Sequence, residues 1–207
     1  AKTYGTKLAE SSTSENDGIA TENIWQIHKK YILSEINSGL VIIDQHVAHE
    51  RVIYEEALLA FESTSMASQT ILFPEVIKFS IDDFDALLDI LPYLEKIGFK
   101  IKKASETSIR IDAIPSEMTL GNEKSVIREI LDNFILNKMQ YSSFQEDLAA
   151  MFACKAAVKA GDLLNREEMQ ELVNRLFSTK NPYYCPHGRP IIIQMSLDEL
   201  DGRFERP

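Results

Sequence analysis

The sequence predicts an α+β fold, that is, a mixed α/β protein, on three observations. The chain has 207 residues, 44% of them apolar, so one large domain or two small interleaved ones can bury a core without disulfides. Its first third alternates as β-strands do and then changes to a helical period. Its middle third repeats such a change independently, as strand, helix, two strands and helix. Eight glycines and seven prolines are too few for a low-complexity chain.

Residues 1–22 are polar and lack periodicity, which is typical of the end of a flexible linker. Three strand-like runs follow, the last two joined by a hairpin turn: Ile24–His28, Tyr31–Ile36 and Leu40–Asp44. From Gln45 to about Phe61 the apolar residues recur with a helical period. A strand therefore ends at Asp44, and a helix starts directly after it.

The segment 65–143 has the apolar content of a separate α+β lobe. Its predicted strands are Pro74–Ser80, Phe99–Lys102 and Ser108–Asp112. Ser80 offers an N-cap to a helix closed by Gly98, and a second helix carries the apolar residues from Val126 to Phe134. We therefore predict a lobe at 65–143 that is inserted between segments 23–64 and 144–207.

The last third is mainly helical. An Ala-rich helix is predicted at Phe144–Ala160, and Asn165 caps another. The loop Thr179–Arg189 leads to a short buried strand, Pro190–Ile193, and a helical segment begins at Leu197.

The charge balance is acidic, with a formal net charge of −10. Such a chain repels the DNA backbone, so a domain of this composition is expected to bind DNA weakly by itself. The longest apolar runs are too short to cross a bilayer, and we expect no membrane contact. Two cysteines without a visible secretory signal favour a reducing, cytoplasmic location.

Carboxylate and imidazole side chains follow the predicted third strand. Asp44 ends that strand, and His46 and Glu50 are four residues apart, which places them on one face of the next helix. Metal binding is one interpretation. The alternative is a surface ion pair between His46 and Glu50.

Thiols occur at two later places. Cys154 lies in the Ala-rich helix, where a packed core thiol is the alternative to a metal ligand. Cys185, His187 and Arg189 alternate between two prolines, so in an extended segment their side chains point the same way. Thiolate, imidazole and carboxylate together suit Zn²⁺ or a similar borderline metal.

Four motifs, in family order, resemble those of MutL-type DNA mismatch-repair proteins. Val47 departs from the family pattern, which usually has Ala there. The motifs are Asp44–Glu50 followed by Glu55, Ala153–Lys155, Cys185–Pro190 and Phe204–Arg206. The resemblance covers nearly all of the predicted folded chain and implies a C-terminal dimerisation and endonuclease domain.

In this family an outer dimerisation lobe is made from both ends of the chain, and a regulatory lobe is inserted between them. The resemblance thus implies a homodimer at 23–64 and 144–207 and a regulatory lobe at 65–143. It also implies two partners for the domain itself: double-stranded DNA, bound weakly, and a replication sliding clamp. A mismatch-recognition protein would be a partner of the full-length protein, whose ATPase part would precede the linker.

The resemblance further implies a metal-dependent nuclease that nicks double-stranded DNA. Asp44, His46 and Glu50 would be catalytic, with Zn²⁺ structural or regulatory and Mn²⁺ or Mg²⁺ driving cleavage. The implied metal ligands are Asp44, His46, Glu50, Cys154, Cys185 and His187. Five further residues would support the metal site or contact phosphate: Gln45, Glu55, Lys155, Arg189 and Arg206. Glu55 lies about 140° round the helix from Glu50, which favours a salt bridge or supporting position over a metal ligand.

The segment Gln69–Pro74 resembles the family's clamp-binding peptide. Its logic is an extended peptide whose apolar side chains fill a groove while Gln hydrogen-bonds at the edge. Gln69, Ile71, Leu72 and Pro74 are the candidate contacts. An ordinary strand or loop is the alternative.

Two other functions remain open. The domain would be a non-catalytic dimerisation scaffold if its zinc is only structural. It would be a Cys–His hydrolase if Cys154 or Cys185 were a nucleophile with His187 as base.

Several prominent residues are left outside the site. Trp25, Phe99 and Phe134 are predicted to lie in the core, and His28 and His49 on the solvated surface.

Overall fold

A computed structural model of the chain describes residues 23–136, 144–159 and 161–206. The predicted linker at 1–22 and the predicted lobe boundary at 143 lie outside the described residues. The strands are β1 Ile24–Ile27, β2 Tyr31–Ile36, β3 Gly39–Asp44, β4 Ser68–Lys78, β5 Lys100–Ser105, β6 Ser108–Pro115 and β7 Ile192–Ser196. The helices are α1 Gln45–Glu62, α2 Ile81–Lys96, α3 Glu123–Leu136, α4 Phe144–Ala156, α5 Arg166–Phe177 and α6 Leu197–Arg203. Within the described ranges the fold is therefore mixed α+β, as predicted.

The first sheet joins the two ends of the described chain. Its order is β1-β2-β3-β7, and each neighbouring pair is antiparallel. Gly39 of β3 has φ +149° and faces β7 so closely that an added Cβ would lie 2.1 Å from the carbonyl oxygen of Met195. Only glycine allows this approach of the two backbones.

The second sheet is formed by β4, β6 and β5, in that order, and is also antiparallel. The register of β4 on β6 shifts between Thr70 and Glu75, so the intervening residues bulge from the ladder. β4 starts six residues earlier than the predicted strand at Pro74. The sequence pattern misses this part because the proline and the bulge interrupt the alternation.

Two hydrophobic cores hold these layers together. The first packs β1, β2 and β3 with the start of α1, α5 and the segment around Cys185 and Ile191. The second packs the second sheet with α2, α3, α4 and the later part of α1. Helix α1 thus belongs to both cores and connects them.

The predicted helix starts are confirmed, since helices begin at Gln45, Ile81 and Arg166. Ser80 and Asn165 are caps as predicted, Asp44 is a third cap, and α4 ends at Ala156, before the predicted end at 160. Of the buried strand predicted at Pro190–Ile193, only Ile191 is fully buried, and β7 itself starts at Ile192. Among the described residues β7 pairs with β3 alone and therefore lies at the edge of the sheet, with Ile193 55% exposed. An apolar run alone does not reveal whether a strand is central or at an edge.

The outer face of the first sheet carries a row of apolar side chains that is exposed at its two ends and half-buried in its middle. Trp25 pairs with Leu33, Leu33 with Ile42 and Ile42 with Ile193, which gives one row across all four strands. Trp25 is 49% exposed, so its predicted place in the core is wrong, whereas Phe99 and Phe134 are buried as predicted. Its strand position explains the error, because Ile24 faces the core and its neighbour must point outward.

None of the helices in the described part of the chain is long and apolar enough to span a membrane.

Candidate metal-dependent active site

The site is built where β3 passes into α1. Asp44 is the N-cap of α1, and its Oδ1 accepts a hydrogen bond of 3.1 Å from the backbone N–H of Val47. The Asp44 N–H donates to the carbonyl of Ile191, just before β7. Asp44 therefore lies where β3, α1 and the segment before β7 meet. Its position between a strand and a helix is as predicted from the sequence.

Glu50 and His187 are in direct contact, as predicted for two residues of one metal site. His187 Nδ1 lies 2.9 Å from Glu50 Oε1. That oxygen is buried and has no hydrogen-bond partner of acceptable geometry. A buried carboxylate oxygen without a partner is costly, and a cation removes that cost.

The turn that carries His187 is closed on Cys185. The N–H of Cys185 donates to the carbonyl of Arg189, and the N–H of Gly188 donates to the carbonyl of Cys185. The Arg189 N–H also donates to the Cys185 sulfur at 3.3 Å. The thiol is buried in the first core, whereas His187 is exposed. The segment is thus a turn, and not the extended run that the two prolines suggest.

Arg51 and Glu55 hold this turn against α1. Arg51 Nε donates to the carbonyl of Asn181 and lies 3.0 Å from Glu55 Oε1. Glu55 accepts from the N–H groups of Lys180 and Asn181. Glu55 therefore has the predicted salt bridge and helps to position the loop that leads to Cys185.

His46 is oriented by the backbone after α4. Its Nδ1 lies 2.8 Å from the carbonyl oxygen of Val158. Because a carbonyl can only accept, Nδ1 carries the proton and Nε2 keeps the lone pair that a metal requires. The predicted alternative of a His46–Glu50 surface ion pair is wrong, since the buried Glu50 faces His187 instead.

His49 is buried, so its predicted surface position is wrong, whereas His28 is exposed as predicted. His49 Nδ1 accepts from the N–H of Val158, and its Nε2 lies 3.0 Å from Glu117 Oε2. The sequence around His49 gave no signal of its burial, because both residues that hydrogen-bond to its ring are more than 60 residues away in the sequence.

Three other predicted residues have different surroundings. Gln45 is fully buried and its amide donates to the carbonyl of Asp162, so it is not available to phosphate. Lys155 pairs with Glu129 at 2.9 Å, and not with a carboxylate of the site. Cys154 is exposed, so it is not the core thiol that an apolar helix suggests.

Two predicted arginines lie at the surface. Arg189 is exposed, and its backbone takes part in the turn at Cys185. Arg206 is 3.6 Å from Asp201 and lies over the ring of Phe204.

The predicted clamp-binding segment forms the bulge of β4. Leu72 and Phe73 are 90% and 88% exposed, and Pro74 is exposed too. Ile71 is buried in the second core, so Phe73 replaces it among the candidate contacts. The Gln69 amide donates to carbonyls of the loop after β6, at Pro115, Ser116 and Met118.

The six predicted metal ligands are not gathered in one centre. No group of three or more His, Cys, Asp or Glu side chains in the described ranges is arranged to hold a metal ion. Glu50 and His187 are 2.9 Å apart, closer than the ~3.3 Å between two donor atoms of a tetrahedral metal. His46 lies one turn before Glu50, and Cys185 lies two residues before His187.

Comparisons with known proteins identify the family of this mixed α+β domain. A family model described as the MutL C terminal dimerisation domain matches residues 24–164. The DNA mismatch repair protein MutL of Chloroherpeton thalassium is 41% identical over 191 residues, which are 88% of this chain and 29% of that protein. The proteins of the same name from Chlorobium phaeobacteroides strain BS1 and Pelodictyon phaeoclathratiforme are 37% and 39% identical, over 92% and 88% of this chain.

The chain therefore belongs to the MutL family and contains its C-terminal dimerisation domain. It spans about a third of the length of these relatives, 29% to 32%.

Glu117 makes a testable contribution to stability. The hydrogen bond from His49 and the charge of Arg175 lower its pKa from 4.5 to about 2, although burial acts in the opposite direction. A carboxyl with a depressed pKa contributes stability that is complete above its unfolded pKa and is lost as the pH falls through the folded one. We predict that Glu117→Gln lowers the free energy of unfolding by about 2 kcal/mol near pH 7.

Urea denaturation at several pH values checks this prediction. The difference between wild type and Glu117→Gln should shrink as the pH falls from 4.5 towards 2. Asp112→Asn, which removes a carboxylate from exposed ion pairs of the second sheet, is the control and should change stability little. A difference that stays constant to the lowest pH would contradict the role of Glu117.

Proposed function

We propose that this domain is the metal-dependent endonuclease of a MutL-type mismatch-repair protein and nicks double-stranded DNA. The observation that carries the proposal is the contact of the buried Glu50 carboxylate with His187, in which Glu50 Oε1 accepts no hydrogen bond of acceptable geometry. These residues come from two motifs 137 positions apart, and each motif resembles the family's nuclease pattern. Family membership supports the proposal, although the family description itself names dimerisation only.

Glu50, His187, His46 and Cys185 would hold the metal, and Asp44 would add a carboxylate at the mouth of the site. A bound Zn²⁺, Mn²⁺ or Mg²⁺ supplies charge neutralisation for the phosphate and a nucleophilic water at neutral pH. The thiol suits Zn²⁺ in a structural or regulatory position, and the carboxylates suit Mn²⁺ or Mg²⁺. Arg51 and Glu55 keep the Cys185–His187 turn in reach of α1.

The chain's own residues have separate tasks in this scheme. His46 presents Nε2 because its Nδ1–H is held by Val158. Asp44 keeps α1 capped through one oxygen, which leaves the other for a metal or a water. Arg189 is exposed beside the turn and is the candidate phosphate contact.

Nicking of supercoiled plasmid at low salt with Mn²⁺ and a replication sliding clamp tests the nuclease. Asp44→Asn should reduce nicking by about 100-fold or more, because a charge needed in the transition state is removed. Asn is also a good N-cap, so the fold is kept. Asp112→Asn makes the same replacement of a carboxylate by an amide, but outside the site, and this variant should nick DNA like wild type.

Equal nicking by wild type and Asp44→Asn would show that the site assignment is wrong. In that case bound Zn²⁺, measured by metal analysis, would favour the non-catalytic scaffold instead. The Cys–His hydrolase has little support, since no hydrogen bond within the described residues joins Cys185 to an imidazole, and its sulfur faces a backbone N–H.

We infer that the outer face of the first sheet is the homodimer surface. The row of Trp25, Leu33, Ile42 and Ile193 is apolar, with about half of the Trp25 and Ile193 side chains exposed, and exposed apolar patches are typical of interaction sites. Trp25 is a suitable anchor because buried aromatic residues carry much of the energy of such interfaces. The family description as a dimerisation domain supports a homodimer.

Trp25→Glu should weaken dimerisation about 30-fold or more, since it places an unpaired charge at an anchor position. Sedimentation equilibrium should then show the monomer mass of 23.5 kDa at concentrations where wild type is a dimer. Leu72→Glu, a similar change on the β4 bulge, is the control and should remain dimeric. A dimer of undiminished affinity in Trp25→Glu would place the interface elsewhere.

The β4 bulge is our candidate for the sliding-clamp contact. Leu72, Phe73 and Pro74 project from the sheet and present apolar side chains to a groove. Gln69 is engaged by its own chain, so binding through its amide would require release from the loop at 115–118.

Double substitution of Leu72 and Phe73 by Ala should weaken clamp binding at least about tenfold, the cost of removing two apolar anchors. Surface plasmon resonance with immobilised clamp measures this, and Val76→Ala, a half-exposed apolar residue of the same strand, is the control. Binding equal to that of wild type would exclude the bulge as the contact.

DNA contact in this scheme is weak for the isolated domain, because its net charge is −10. The clamp, and the mismatch-recognition protein acting through the full-length protein, would bring the domain to DNA. A cytoplasmic location beside the bacterial nucleoid follows from the proposed role.

A further inference from the structure

A line of three hydrogen bonds leads from His46 to Glu117. His46 Nδ1 donates to the Val158 carbonyl at 2.8 Å. The N–H of the same residue, Val158, donates to His49 Nδ1 at 3.0 Å. His49 Nε2 then donates to Glu117 Oε2 at 3.0 Å. This set of groups is called the His46–Glu117 line below.

The backbone of Val158 fixes the protonation of both imidazoles. Its N–H can only donate, so Nδ1 of His49 must be the accepting nitrogen and Nε2 must carry the proton. Its carbonyl can only accept, so Nδ1 of His46 must carry the proton. The two histidines are therefore held as opposite tautomers, and His46 keeps a free lone pair on Nε2.

The far end of the line is anchored by Arg175. Its Nη2 lies 2.9 Å from Glu117 Oε1, and the same guanidinium makes a forked contact with Glu56 on α1. The pKa of Glu117 is lowered to about 2, so the carboxylate is ionised at neutral pH. Charge-assisted and bidentate contacts of this kind have well-defined geometry.

All donors in the line point towards Glu117. The N–H and the carbonyl of Val158 belong to neighbouring peptide groups, so the line acts through position: the contact of Glu117 with His49 holds the Val158 backbone, and the Val158 carbonyl holds the His46 ring. His49 is only 8% exposed, so water competes little for these hydrogen bonds. An imidazole whose N–H is held in this way is better oriented and more basic at its other nitrogen.

We propose that Glu117 is a positioning residue for His46: through His49 it fixes the backbone at Val158, whose carbonyl orients the His46 ring so that Nε2 faces a metal ion. The inference rests on the proposed function, in which His46 is a metal ligand. It extends the site beyond the nuclease motifs, because Glu117 lies in the loop after β6, between β6 and α3.

Side-chain ¹⁵N NMR of the metal-free domain tests the line without any activity. The chain has four histidines, so single substitutions assign their signals. In wild type we expect His46 as the Nδ1–H form and His49 as the Nε2–H form. Glu117→Ala should keep these tautomers but speed the exchange of the His46 Nδ1 proton with water about tenfold, because the Val158 backbone that holds this proton is no longer fixed.

Zn²⁺ affinity, measured by competition with a chromophoric chelator, gives the second readout. Glu117→Ala should weaken Zn²⁺ binding about tenfold, the lower end of the effect of such supporting groups. Glu117→Gln keeps an acceptor for His49 but not the charge, so its loss should be smaller. Glu56→Gln is the matched control, because it removes a carboxylate from Arg175 without touching the line.

The outcomes separate the two proposals. If His46→Ala leaves Zn²⁺ affinity unchanged, the ligand assignment of the proposed function is wrong and this inference fails with it. If His46→Ala weakens Zn²⁺ binding but Glu117→Ala changes neither the exchange of the His46 Nδ1 proton nor the affinity, only the inference is overturned. Equal losses in Glu117→Ala and Glu56→Gln would assign the effect to general stability and would also overturn it.

Discussion

The candidate site depends on the antiparallel pairing of β3 with β7. This pairing brings the late segment around Cys185 against the start of α1, although the two are about 140 residues apart in the sequence. The close approach at Gly39 and the hydrogen bond from Asp44 to Ile191 fix its register. A shift of this register by one residue would move the side chains of β7 to the opposite face of the sheet. It would also move the Cys185–His187 turn away from Glu50.

Helix α1 carries most of the chemistry because it is shared by both cores. Its first turns contribute His46, His49 and Glu50, and its later turns pack on the second sheet. Ionisable groups from the second-sheet side, Glu117 above all, therefore reach the back of the site through α1. Buried polar groups of this kind must be satisfied as a set, since one unpaired member is costly.

The sequence was sufficient for what depends on local pattern. The caps at Ser80 and Asn165, the hairpin before β3 and the order of elements follow from short-range rules. The contact of Glu50 with His187 was expected only through the motifs of the family, because no local rule joins residues so distant in the chain.

The sequence did not predict burial correctly where burial is set by residues distant in the chain. His49 is buried by Val158 and Glu117, and Trp25 is exposed because its strand has a second, outward face. Arg51 was not predicted to support the site, although its i,i+4 spacing to Glu55 was a usable sequence signal.

The division into two cores has a consequence for how the chain folds. The second core draws its residues from the stretch between Ile53 and Ala157. The first core joins strands near the start to residues as late as Ile191. Because the ribosome makes the chain from its N-terminus, every residue of the second core is synthesised before Ile191, and we expect the first core to be completed last.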